Sequence, residues 1–513
     1  MSNSKDTIKF NPEEWRKAIV QMRKKGETES LDTIAKLEEL LASVNAERLF
    51  VAVVANVSFG PEGSISEATH GDVPAKVETL AFHAYPFFGK SINQEITPWH
   101  INECIGYLDK ILALRLMIPR LPEDSAEQDA IDHIVASVRS HAEIVRGSAY
   151  PEQTTNEIIS IQGHFDNWFA ERVGIKPTRA QAILWSIIRI HEEVINSVMP
   201  DIRKQALSAG EYWQQIKSKP PGNRKPIEPK LVELVQDKQS ADVFELVSIL
   251  SAIAPEVMPI NLKDIKDIKP RPILEEWEGL ISLIGLTKET RLPMSETVDV
   301  RRRPLFVLPD DRVILVDISN ALDVLWESYE QLAKTEEVFH SGRYRKVKTK
   351  WLEQKIVECL LTFFPPQSIY QNLAYPDPDK NDGSTAELDV AVYWDPFLIL
   401  VEAKAKQFRL ESQLGDVGRL RSDIKNNVED AFDQAKRAAN YIYKTPNPEF
   451  TEVSSGRRLR FSVDKIRRIY LLTVSQHLLA GLATRLSTVS SHSSNRHPGF
   501  SVYTAKYQYP KAA

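Results

Sequence analysis

The chain has 513 residues, of which 42% are hydrophobic and 26% charged, with 65 basic against 70 acidic side chains and a net charge of −5. That length exceeds one compact core, since domains usually run to about 100 to 200 residues, so two or three units are expected. The composition excludes global disorder, and the charge balance excludes a basic protein that coats nucleic acid indiscriminately, so any such contact has to be local.

The two cysteines, Cys104 and Cys359, are far apart and have no zinc or disulfide spacing, which fits a reducing compartment. The first residues lack the apolar run of a signal peptide, and no stretch approaches the roughly 18 apolar residues of a membrane span. A soluble, cytoplasmic protein with no membrane partner is expected.

From about residue 12 to residue 290, apolar residues recur at three- and four-residue spacing, broken by proline and short polar loops. The segments ITPWHINECIGYLDKILALRLM, EDSAEQDAIDHIVASVRSHAEIV, TRAQAILWSIIRIHEEVINSV and SADVFELVSILSAI read as helices, with start signals at Thr97, Ser125, Thr178 and Ser240. The stretch RLFVAVVANVSF, residues 48–59, suits a strand as well as a buried helix and stays open between them. Trp277, Trp326 and Trp351 lie at helical apolar spacing and read as core.

Two further features invite functional readings. His191 and Glu192 begin like a zinc-protease motif, but Ile195 stands where the second histidine belongs, so His191 is expected on a helix surface. Residues 170–190 carry the short glycine-containing turn of a helix-turn-helix, for which ordinary bundle packing is the better account. No glycine-rich phosphate loop appears, so the chain lacks an ATP motor of its own.

Near residue 290 the character changes. DVRRRPLFVLPDDRVILVDIS predicts two short strands joined by Pro309, Asp310 and Asp311, followed by the helix ALDVLWESYEQLAK. The fold class expected is a multi-domain α plus α/β protein: a mainly helical region over 1–290, a β-hairpin and helix joint over 291–339, and an α/β domain over 340–513 with a central mixed sheet flanked by helices.

Within the last region, TAELDVAVYWDPFLILVEAKAK reads as a two-stranded hairpin turning at Asp395 and Pro396. Alternation along a strand puts Glu387 and Asp389 on one face, and Glu402 and Lys404 likewise on one. Two carboxylates and an ammonium group would meet there. A hard cation such as Mg²⁺, with Mn²⁺ able to substitute, is held by one or two carboxylates, and Asp389 and Glu402 are the candidates. Such a cation activates water and polarises a phosphodiester, while Lys404 would stabilise developing negative charge. The competing account is an exposed cross-strand salt bridge. Against it, Ile399 and Val401 make the second strand strongly apolar, so a Glu and a Lys at its end need a reason to be there.

Asp389, followed thirteen residues on by Glu402, Ala403 and Lys404, resembles the core of the PD-(D/E)XK, or restriction-endonuclease-like, nuclease superfamily, with Leu388 where the motif name has proline. The resemblance covers the last third of the chain. It implies a helix, a three-strand meander, a helix and a further strand, and it makes the Ala403 carbonyl another metal ligand. The first helix would be KVKTKWLEQKIVECLLTFF, from which Glu353, or failing it Glu358, adds an acid. The later helix, NNVEDAFDQAKRAANYIYK, is similar to one that carries a characteristic glutamine in exonuclease-like members, here Gln434. Its companion tyrosine is replaced by Ala438, with Tyr441 on roughly the same face. FSVDKIRRIYLLTVSQ supplies the last strand.

The reading is a metal-dependent nuclease, with DNA the expected substrate. Arg343, Arg345, Lys346 and Lys348, with Gln434, Arg437 and the nearby Arg409, Arg419, Arg421 and Lys436, are candidates for nucleic-acid contact. The alternatives are a non-catalytic nucleic-acid-binding scaffold that kept the fold, and an RNase or structure-selective resolvase. A nuclease core fused to a helical module looks like prokaryotic nucleases of anti-phage defence or mobile-element control, which brings in a separate ATPase and self-association as partners, by analogy alone.

Overall fold

The computed structural model describes residues 12–59, 73–117, 150–218, 245–287, 300–406, 409 and 412, and 416–476, apart from isolated positions within 91–95, 246–251 and at 381. The predicted helix at 123–145, most of the one beginning at Ser240 and the loop 490–499 lie outside the described residues. The chain divides into two compact units, with the division on the main chain after Leu332.

The first unit is helical: α1 (Pro12–Ser43), α2 (Ala46–Phe59), α3 (Val73–Ala84), α4 (Pro98–Met117), α5 (Pro151–Ser160), α6 (Asp166–Val173), α7 (Pro177–Ser218) and α8 (Leu274–Ile284). The open question at 48–59 resolves as helix. Asn45 caps it, its side chain accepting from the Arg48 N–H at 3.0 Å. Phe50 through Ala55 are buried without interruption, so this helix is enclosed on all sides, which explains an apolar run with no amphipathic stripe.

The predicted hairpin is present as β2 (Leu305–Val307) and β3 (Val313–Leu315), antiparallel, with Asp311 at φ 64° in the turn. A two-residue strand, β1 (Gly285–Leu286), pairs parallel with β2, and α9 (Ile318–Lys334) follows. The helix-turn-helix corner turns at Gly174, left-handed at φ 75°, and α6 runs so close to α8 that a Cβ on Gly279 would lie 2.3 Å from the Val173 carbonyl oxygen. Arg179 is paired with Glu276 at 3.0 Å, so this corner is a packing device.

His191 corrects its expectation. It is buried, its ring Nε2 sits 2.7 Å from the Met258 carbonyl oxygen, and burial pushes its pKa down to about 4. Among the described residues no single helix is long and apolar enough to cross a membrane. Only α1 from Val20 taken with α2, bent by 118°, reaches that length and composition, and α2 is core.

The second unit is built on a six-stranded mixed sheet in the order β8-β7-β4-β5-β6-β9. Helix α10 (Arg345–Leu361), entered through a π-helical turn at Phe339–Tyr344, precedes the meander β4 (Ile369–Pro376), β5 (Thr385–Trp394) and β6 (Phe397–Lys404). Then come α11 (Val417–Ile424), a second π-helical turn, α12 (Asp430–Lys444), the hairpin β7 (Glu449–Glu452) and β8 (Arg458–Arg460), and β9 (Arg468–Ser475), parallel to β6.

One face of the sheet is covered by α10 through Leu352, Ile356 and Leu360, against Val390, Val392 and Val401. The other is covered by α12 through Ala435, Ala438, Ala439 and Ile442, against Leu388, Ala391, Leu398 and Leu400. The alanines let the helix approach closely, and Leu400 and Ala438 are fully buried.

Candidate active site

The hairpin places its polar residues in one row. The β5–β6 ladder runs from Trp394↔Phe397 to Val390↔Val401 and stops there. Beyond that point the Asp389 side chain takes over, Oδ2 accepting the Ala403 backbone N–H at 2.7 Å. The sheet thus parts where the carboxylates are, because a side chain has replaced a backbone partner.

Asp389 also leaves the strict alternation. Leu388 and Ala391 both pack on the α12 side, although they are three residues apart, while Val390 and Val392 pack on the α10 side. One residue of slip is needed between Leu388 and Ala391, and Asp389 occupies it.

Glu402 is 2% exposed and hydrogen-bonds the Asp389 carboxyl. Its Oε1 has no partner in the structure. Burial first, and then the Asp389 charge, push its pKa up to about 9, against weaker opposite effects from Lys404 and Arg437. Two carboxyl groups in hydrogen-bonding contact need a proton or a cation between them. Without a cation, burial and the neighbouring Asp389 charge favour the protonated form of Glu402.

Lys404, two residues on and on the same face of β6, donates from Nζ to Gln434 Oε1 on α12 at 2.5 Å. The predicted glutamine and lysine therefore meet, and the ammonium group is fixed beside the carboxylates.

From the opposite face, Glu353 on α10 is half-buried. Burial, and then the charges of Asp389 and Glu387, push its pKa up to about 7. Glu358, the fallback, is exposed and paired with Lys355 at 2.6 Å. Tyr441 is core: its ring packs against Tyr375 and Phe450, and its hydroxyl donates to the Glu449 carbonyl.

A divalent cation fits this donor set. Asp389 and Glu402 are close enough to share a proton, and Glu402 keeps a buried oxygen that nothing else satisfies. Among the described residues no group of three or more His, Cys, Asp or Glu side chains is gathered into a metal cage. Mg²⁺ does not require one, since it is held by one or two carboxylates and keeps several waters.

Three of the side chains expected to contact nucleic acid are buried or ion-paired within the unit. Lys348 is only 4% exposed: on α10 it falls in the row Tyr344, Lys348, Leu352, four residues apart, which is the face turned inward. Arg343, Arg345 and Lys346 are exposed. Arg437 is engaged by Asp377 at 3.2 Å and Asp379 at 3.8 Å, residues of the β4–β5 connection that the motif gave no cause to single out. Arg409 is likewise held by Asp423, at 2.7 Å.

Compared with protein-family models, with curated proteins and with solved structures, the chain finds no match in any of the three. The case for a function rests on the residues themselves.

Proposed function

We propose that the second unit is a metal-dependent phosphodiesterase of the PD-(D/E)XK type, acting on DNA. The observation that carries this reading is the buried Glu402 carboxyl, with one orphaned oxygen, against the half-buried Asp389 and beside an ammonium group that Gln434 holds in place. A cross-strand salt bridge does not account for it. Across the hairpin, Asp389 accepts the Ala403 N–H while Lys404 donates to Gln434, and a surface pair has no need of the burial Glu402 has.

Asp389, Glu402 and the Ala403 carbonyl would hold Mg²⁺ or Mn²⁺, and the ion would polarise the scissile phosphate and acidify water bound beside it. The chain's own groups do the rest. Lys404, fixed by Gln434, presents its charge where a phosphoryl oxygen gains negative charge, at no cost of reorganisation. Glu353, with a pKa near 7, exchanges a proton readily at neutral pH. Arg343, Arg345 and Lys346, exposed on and just before the helix that carries Glu353, would take backbone phosphates of the substrate without reading bases. The helical unit would restrain or recruit the nuclease, with a separate ATPase the analogous companion.

The test is cleavage of double-stranded DNA, single-stranded DNA and RNA with Mg²⁺, Mn²⁺ or EDTA, comparing wild type with Lys404→Ala. The expected result is metal-dependent cutting of DNA that the substitution reduces by at least about a hundredfold, the scale of a lost charge-stabilising donor. A variant that cuts as well as wild type sinks the assignment, and cutting of RNA alone moves the substrate.

A further inference from the structure

Asn372 lies inside β4 with φ 48°, in the left-handed region that asparagine enters more readily than other non-glycine residues but that a strand interior does not use. Strain of that kind persists only where the surrounding structure holds it, and it gathers at functional sites.

Its position repeats the irregularity at Asp389. Tyr370, Leu373 and Tyr375 all pack on the α12 side of the sheet, so β4 slips by one residue between 370 and 373, as β5 does between 388 and 391. The β4–β5 ladder pairs Gln371 with Val390 and Leu373 with Leu388, passing over Asn372 and Asp389, which face each other across the interruption. From the other side, the Asn372 carbonyl accepts the Val453 N–H at 2.9 Å, anchoring the distorted residue to the end of β7. The Asn372 side chain reaches Glu353 on α10 and hydrogen-bonds its carboxylate.

The geometry points to Asn372 as a positioning residue: its left-handed backbone lets both strands slip together and release Asp389 from the sheet, while its amide braces Glu353 toward the same cation. The inference rests on the cation site proposed above. It explains why two adjacent strands break their alternation in the same row, which packing of the two cores does not require.

The test uses the full chain and measures Mn²⁺ binding by electron paramagnetic resonance, in wild type, Asn372→Gly, Asn372→Val, Glu353→Gln and the double variant Asn372→Gly/Glu353→Gln. Glycine takes φ 48° without strain, so Asn372→Gly should unfold within a few degrees of wild type and yet bind Mn²⁺ about tenfold more weakly, the usual scale for a partner that orients a ligand. In the Glu353→Gln background the same change should add less than twofold. Asn372→Val, whose β-branched side chain disfavours the left-handed region, should weaken binding in excess of Asn372→Gly because Asp389 is misplaced as well.

Wild-type affinity in Asn372→Gly, or a loss of equal size with Glu353 already removed, overturns the inference while leaving the cation site standing. Wild-type protein that binds no Mn²⁺ overturns the cation site, and the inference with it.

Discussion

Replacing Glu402 by glutamine should make the cation-free protein more stable, and by an amount that depends on pH. The folded state raises the pKa of Glu402 from about 4.5 to about 9, so between those values the folded chain binds a proton that the unfolded chain has released. Stability therefore falls as pH rises through that window. At about pH 7 the unfolded side chain has gained roughly 2.5 units of ionisation that the folded one forgoes, and at about 1.4 kcal/mol per unit the wild type gives up about 3 kcal/mol.

Glutamine carries no proton equilibrium, and its amide N–H can donate to Asp389 as the protonated glutamate does. The stability gap should then grow from near zero at about pH 4 to about 3 kcal/mol at about pH 7, or roughly 6 to 12 °C in the transition of a unit of this size. Calorimetry of the full chain in EDTA at several pH values measures it. Mg²⁺ at about a thousandfold excess over its dissociation constant should reverse the order at about pH 7, since wild type then gains about 4.1 kcal/mol while the variant gains little. A Glu402→Gln protein less stable than wild type at neutral pH, or a gap that ignores pH, would refute the account of the carboxyl pair.

Three other outcomes follow from the same geometry. Because cation entry displaces the proton shared by Asp389 and Glu402, Mg²⁺ affinity should rise up to about tenfold per pH unit and level off near pH 9; isothermal titration in buffers of different ionisation enthalpy should detect close to one proton released. Alanine at both Arg345 and Lys346, measured in EDTA, should lower the slope of log affinity for DNA against log salt by about 2 in fluorescence anisotropy, and an unchanged slope puts the substrate elsewhere. Leu400→Ala, in the fully buried layer between β6 and α12, should cost 2 to 5 kcal/mol in urea unfolding, whereas a loss under about 1 kcal/mol would contradict the packing described.

Much of the candidate site was legible in the sequence, because its spacing is local. Asp389, Glu402 and Lys404 sit on two strands joined by a tight turn, so the alternation of side chains and the length of the hairpin bring them near one another whatever the rest of the chain does. The packing face of the later helix is also readable from the sequence, with Ala431, Ala435, Ala438, Ala439 and Ile442 buried at helical spacing, since a 3.6-residue period is written directly in the order of residues. The run at 48–59 was ambiguous for the converse reason: a helix enclosed on every side carries no period, and only its neighbours settle what it is.

What the tertiary structure alone decided is how charges and strain are spent. The row Tyr344, Lys348, Leu352 turns a lysine of a basic run inward, and Asp377 and Asp379, distant in sequence from Arg437, engage a side chain that looked available for phosphate. His191 is buried because residue 258 lies across its helix. The slip of β4 and β5 in one row, with Asn372 left-handed at its centre, leaves no mark in hydrophobic pattern, because it depends on two strands being paired. Sequence determined which residues are candidates for the chemistry, since residue type and short-range spacing are sufficient for that. Pairing between elements decided which of them are buried or ion-paired, and how the Asp389 carboxylate leaves the regular sheet, since desolvation, ion pairing and backbone strain exist only once distant segments meet.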